Sequence, residues 1–151
     1  IGRKDKKENI KKFYLQYRKN KILLNKWFAT QIQYSTPKLA LDRLRELTTH
    51  SDFNMFNPNN FHSVIGTFAK RNFHAFHQED GCGYKEIADW IKKIDPENPQ
   101  IAANTTKAFE QIKFLPNIYR TKAKGSLNAL SNGNNLSKDT SEILNKIEAS
   151  L

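Results

Sequence analysis

Three times along this 151-residue chain a threonine or asparagine is followed at once by proline: Thr36-Pro37, Asn57-Pro58 and Asn98-Pro99. Such a pair opens a helix. The side-chain oxygen can accept from an N–H of the first turn that has no partner inside the helix, and proline has no N–H there to leave unpaired. Its fixed φ already suits the helix. Behind each start runs an apolar stripe at helical spacing: Leu39, Leu41, Leu44 and Leu47; Phe61, Val64, Ile65 and Phe68; Ile101, Ala102, Thr105, Ala108, Phe109 and Ile112. Gly81 and Gly83 precede a fourth stripe, Tyr84, Ile87, Ile91 and Ile94. Pro116 opens a fifth, with Tyr119, Ala123, Leu127 and Leu130, and Ser137 after the loop SNGNN caps a sixth, with Ile143, Leu144, Ile147 and Leu151. With two segments before Ser35 the total is about eight helices. No stretch alternates apolar and polar residues between hairpin turns, so the expected fold is all-α. Short connections between one-sided helices favour antiparallel pairs stacked into an α-solenoid, although no fixed-period repeat is visible.

The length suits a single domain covering residues 1–151, and 38% hydrophobic against 26% charged residues excludes a disordered chain. No apolar run approaches the ~18 residues of a membrane span. The single cysteine, Cys82, cannot form an internal disulfide, which points to a cytoplasmic setting. The chain starts at Ile1, as a piece cut from a longer polypeptide would. Charge is uneven: of the formal +10, residues 1–26 carry ten Lys or Arg against Asp5 and Glu8. This basic end reads either as an arm for phosphates or as the solvated face of a helix, with Ile10, Tyr14 and Tyr17 on the inner side and Phe13 beside them. The second reading is favoured, because the lysines do not alternate with aromatic platforms.

Catalytic patterns are sparse. There is no His-Glu-x-x-His, the helical spacing that sets two imidazoles on one zinc. His74 and His77 could chelate a metal with Glu79 and Asp80, but Phe73 and Phe76 alternate with them as core anchors do, so structural histidines are expected. Cys82 stands near a helix start that could lower a thiol pKa, yet no base accompanies it, and a small residue in a tight turn is the simpler role. Gly81-x-Gly83 lacks the third glycine of a dinucleotide loop. The pairs Asp42/Glu46 and Asp139/Glu142 lie on polar helix faces and read as solvated surface.

Four blocks carry a resemblance: KWFATQIQ, NPNNFHSVIGTFAKRNFHAFHQEDGCGY, DPENPQIAANTTKAF and LSKDTSEILNKI. In order and spacing the chain from about Lys11 to Leu151 resembles the C-terminal helical domain of the bacterial aminopeptidase N family, zinc-dependent alanyl aminopeptidases. The resemblance implies a superhelix of paired helices, of which this chain is the distal half. It implies a parent enzyme that hydrolyses N-terminal residues from peptides, with its zinc ligands and catalytic domain outside this chain, which alone is inactive. The partners implied are that catalytic domain and peptide substrates, with the superhelix closing the active-site cavity and controlling access.

At Gln100 the family places a glutamine that faces the cavity, whereas the residues by themselves place Gln100 in the exposed first turn of a helix. Family arginines facing the cavity correspond to His62 and Asn104 here, which implies a less positive cavity and a weaker hold on a carboxylate. His62 would restore a charge below about pH 6.5. Cys82 stands where serine is usual, and Tyr119-Arg120 where an Arg-Gln pair is usual. The surface left by a missing catalytic domain suggests a homodimer in isolation. The competing function is a basic helical-repeat module that binds nucleic acid or an acidic protein.

Overall fold

Proline and its caps set the helix starts largely as expected. Asn57 Oδ1 accepts from Asn60 N at 3.0 Å and Asn98 Oδ1 from Ile101 N at 3.1 Å. Thr36 departs from this: its backbone is extended before Pro37, but its hydroxyl accepts no capping hydrogen bond, so proline alone marks that start. Pro116 sits one position earlier than a first helical residue, and its carbonyl accepts from Tyr119 and Arg120 while the helix begins at Asn117.

The structure is a computed structural model that describes residues 3–132 and 135–151, all helix and connection with no strand among them. The helices are α1 (Arg3–Tyr17), α2 (Lys21–Gln33), α3 (Pro37–Thr48), α4 (Pro58–Phe61), α5 (Thr67–Arg71), α6 (Phe73–Phe76), α7 (Cys82–Ile94), α8 (Pro99–Thr106), α9 (Asn117–Ser131) and α10 (Lys138–Ser150). A π-helical turn, His62–Gly66, joins α4 to α5 as one broken rod, and a 3-10 segment, Lys107–Phe114, extends α8. Counted as rods, the described residues make eight long helices plus the single turn of α6, in line with the expected number. Ile1, and Gly133 and Asn134 of the SNGNN loop, lie outside the described residues.

Packing follows chain order. α1 lies on α2, α2 on α3 and the broken rod, α3 on α6, α7 on α6, α8 and α9, and α10 on α8 and α9. This succession is α-solenoid-like. One core runs through it, with Phe28, Phe61, Phe68, Phe76, Tyr84 and Phe109 fully buried. Rings carry the contact from rod to rod: Phe76 lies 5.1 Å from Tyr84, 5.3 Å from Phe109 and 6.5 Å from Phe68. Three of the expected stripes, within 61–68, 84–94 and 101–112, are buried as read, and the two that follow are buried except for the half-buried Tyr119, Ile143 and Leu151; in α3 the inward residues are Ala40, Leu44 and Leu47, while Leu39 is 54% exposed. The stripe there starts at alanine, a weak hydrophobic signal in sequence.

Two positions fix rods to one another. A Cβ on Gly83 would lie 2.4 Å from the Phe76 carbonyl oxygen, so only glycine lets the start of α7 rest on α6. Asp95, just beyond α7 and 2% exposed, accepts from Ser137 N and Ser137 Oγ, each at 2.6 Å, and from Thr140 Oγ1. Its negative charge meets the positive end of α10. Ser137 also caps that helix, accepting from Thr140 N at 3.3 Å.

Candidate functional site

The broken rod 58–71 builds the most distinctive polar site. Asn60 is buried and ties three segments together: its Oδ1 accepts from Asn54 N at 2.6 Å, its Nδ2 donates to Asn25 Oδ1 at 2.9 Å, and its carbonyl accepts from Ser63 Oγ at 2.7 Å. The π-helical turn then widens the backbone, and Thr67 Oγ1 donates to the His62 carbonyl five residues back at 3.3 Å. Gly66 leaves room for the imidazole, since a Cβ there would lie 2.7 Å from His62 Nδ1. A wide turn of this kind re-aims the side chains after it and is common at functional sites.

His62, Lys70 and Asn104 meet at this rod. Lys70 Nζ donates to Asn104 O at 2.8 Å and to Asn104 Oδ1 at 3.1 Å, while Asn104 Nδ2 stands 3.2 Å from His62 Nε2. The proton order follows from the donors. An ammonium only donates, so Oδ1 faces Lys70 and the amide N–H faces His62; Nε2 must accept, which puts the imidazole proton on Nδ1. His62 is therefore neutral, and its pKa is lowered by burial and then by the Lys70 charge. The expected return of charge near pH 6.5 is corrected: His62 needs more acid than an exposed histidine. Lys70 is also lowered, by burial and then by Lys107, against a smaller opposing effect of Glu110.

His62, Lys70 and Asn104 border a groove of about 500 Å³ between α2 and the broken rod, which Lys26 and Arg71 also line. Gln100 lies elsewhere: exposed in the first turn of α8, it borders a second groove of about 390 Å³ with Lys107, Asp139 and Glu142. Asn104, half-buried, belongs to both grooves and is the link between Gln100 and His62. Lys70 was not among the candidates read from the sequence. Its partner Asn104 is 34 residues away, and no local pattern signals such a pairing.

Of the remaining candidates His77 is structural, whereas His74 and Glu79 are exposed and Phe73, expected as a core anchor, is 49% exposed, so the expectation is corrected for His74. His77 Nδ1 lies 2.9 Å from the Tyr84 hydroxyl, its ring packs on Phe73 and Phe76, and burial lowers its pKa to about 4. The same burial pushes the Tyr84 phenol up. Cys82 is raised to about 11, by burial and then by the Asp80 carboxylate, which also accepts from Cys82 N at 2.9 Å. Proximity to a helix start does not make it a reactive thiolate. Among the described residues no three His, Cys, Asp or Glu side chains gather as metal ligands, so the donors present do not fit a zinc site.

Glu46 pairs with Arg43 and Glu142 with Lys146, each at 2.7 Å on exposed faces. Arg120 is half-buried, and its Nε is buried without an acceptor. On α1, Tyr14 donates to Asp52 Oδ2 at 2.7 Å and the Ile10 carbonyl accepts from Trp27 Nε1 at 2.9 Å, so the Ile10–Tyr14 side faces the body, with Phe13 and Tyr17 half-buried beside it. No described helix is long and apolar enough to cross a membrane.

Residues 1–149 match the family described as "Domain of unknown function (DUF3458_C) ARM repeats". The chain belongs to this family. The ARM-repeat domain is similar to aminopeptidase N of Haemophilus influenzae, 32% identical over 89% of this chain, and to aminopeptidase N of Escherichia coli, 33% identical over 87%. Aminopeptidase N of Caulobacter vibrioides is 38% identical over 68% of it. The domain spans 15% of the length of the first two and 12% of the third. Among solved structures, Legionella pneumophila aminopeptidase A in complex with aspartic acid superposes with a TM-score of 0.90 at 25% identity, covering 98% of this chain and 17% of that one.

Proposed function

We propose that this ARM-repeat domain is a noncatalytic, C-terminal part of a cytoplasmic zinc aminopeptidase, and that it closes the active-site cavity and governs which peptides enter. The observation that carries the reading is the similarity to aminopeptidases N at 32–33% identity over 87–89% of the chain. In this reading residues outside the chain hold the zinc and activate water, and the catalytic domain of the same polypeptide is the principal partner. Gln100, Asn104 and His62 line the cavity wall from the two grooves that Asn104 joins.

The test compares the isolated chain with the full-length protein on an aminoacyl chromogenic substrate. The full-length protein is expected to turn it over in a chelator-sensitive way and the chain alone not at all; turnover by the chain alone overturns the division of labour. Separated from its partner, the chain is expected to pair with a second copy. A monomer by light scattering at high concentration ends that expectation.

A further inference from the structure

We propose that the groove between α7 and α9 is an interface for a second copy of this chain, filled by α9 of that copy about a two-fold axis at Gly125. The groove measures about 480 Å³ and shares no residue with the two grooves that meet at Asn104. Ala88, Gly125, Ala129 and Leu130 make its apolar part, and Asp80, Lys85, Asp89, Lys92 and Lys122 stand along it. None of these five charges is in an ion pair among the described residues.

Gly125 stands inside a helix where this chain alone has no need of glycine. Glycine weakens a helix relative to alanine, a cost that close approach of another group explains. Gly83 shows that case within the chain, since an added Cβ would strike the Phe76 carbonyl. An added Cβ on Gly125 meets nothing within 4 Å, so no part of the same chain claims the space. A second helix can come near at such a point, because the side chains at a crossing set the distance between two axes.

The charges select the occupant. A Cβ on Gly81 would lie 2.9 Å from Lys122 Cβ, so α7 and α9 start side by side and run the same way along the groove. Asp80 and Lys122 therefore mark one end of it, Asp89 and Lys92 the other. A two-fold axis across α9 reverses the second copy. Lys122 then meets Asp89 of the second copy, Asp80 meets Lys92 of the second copy, and the symmetry repeats both pairs. An isologous contact needs this self-complementarity. A partner of one sign would be repelled by either the two aspartates or the three lysines. Most of the formal +10, which opposes self-association, is carried by residues 1–26, at the opposite end of the stack from α9. This deepens the proposed function: it gives the expected pairing of the isolated chain its surface and rests on that pairing, not on the peptidase reading.

The test is analytical ultracentrifugation of the 151-residue chain over a concentration series, with urea unfolding to check that each variant folds. Gly125→Leu points into empty space and should fold at least as stably as the parent, yet weaken association about tenfold or more by holding the second helix away. Asp89→Lys and Lys122→Asp should each weaken it on the same scale, by setting like charges together. The double variant Asp89→Lys/Lys122→Asp restores opposite signs across the axis and should recover the parent's association. Lys38→Asp, on α3, should change nothing. If a charge variant does not fold, Gly125→Leu still decides.

A dimer indifferent to Gly125→Leu, or a double reversal that associates no better than the single ones, overturns this surface and leaves the pairing to another face. A monomer at every concentration overturns the surface and the pairing together. The peptidase reading stands or falls separately, on the chromogenic assay.

Discussion

Buried imidazoles make single residues of this protein sensitive to acid. His77 has a folded pKa of about 4 against the ordinary 6.5, because burial beside Tyr84 disfavours its charged form. As pH falls through 6.5 the unfolded chain takes up the proton and the folded chain does not. The stability due to neutral His77 is therefore full above pH 6.5, is lost between 6.5 and about 4, and levels off below. Melting temperature should fall across that window, and His77→Gln, which keeps a partner for Tyr84 but cannot titrate, should flatten the slope. His62 acts in the same direction. At His62 a second test is available: in Gly66→Ala the new Cβ, 2.7 Å from Nδ1, must displace the ring from Asn104. The His62 pKa, followed by NMR, should then rise toward that of an exposed histidine; an unchanged value refutes the packing argument.

Elements differ in how openly they declare themselves. α4, α8 and α10 each begin at a side-chain oxygen that the structure uses as a cap, so those starts were legible from two or three adjacent residues. What was not legible depends on neighbours distant in the chain. The π-helical turn rests on the fit of His62 over Gly66, and α8 tightens to 3-10 geometry at Lys107 although its apolar stripe continues to Ile112 without a break. At the candidate site His62 and Asn104 were read through the family resemblance, and the structure brings them into contact; Lys70 escaped because its role lies in a partner on another rod. Asp95 escaped likewise, since a carboxylate after a helix reads as solvated until α10 is seen to cover it. Asp95→Ala leaves buried donors unmatched and should cost about 3 kcal/mol in urea unfolding. A loss below about 1 kcal/mol would mean that water replaces the carboxylate.

Across the whole molecule, stability should grade with position in the stack. In a quasi-one-dimensional array each rod depends on its immediate neighbours. α1 has one main neighbour, α2, and is attached through Trp27 to Ile10 and Tyr14 to Asp52, whereas α7 packs on α6, α8 and α9 with Ile87, Ile91 and Ile94 fully buried. Amide exchange should be fastest in α1 and slowest in α7; equal protection throughout would argue for one indivisible unit instead. The far end of the stack is secured differently. Because Asp95 grips the first turn of α10 directly, the last rod is held by an anchor more than forty residues upstream in addition to its packing on α8 and α9. Natural variation in the length of the tether between α9 and α10 should therefore be free to accumulate without moving the rod it leads to.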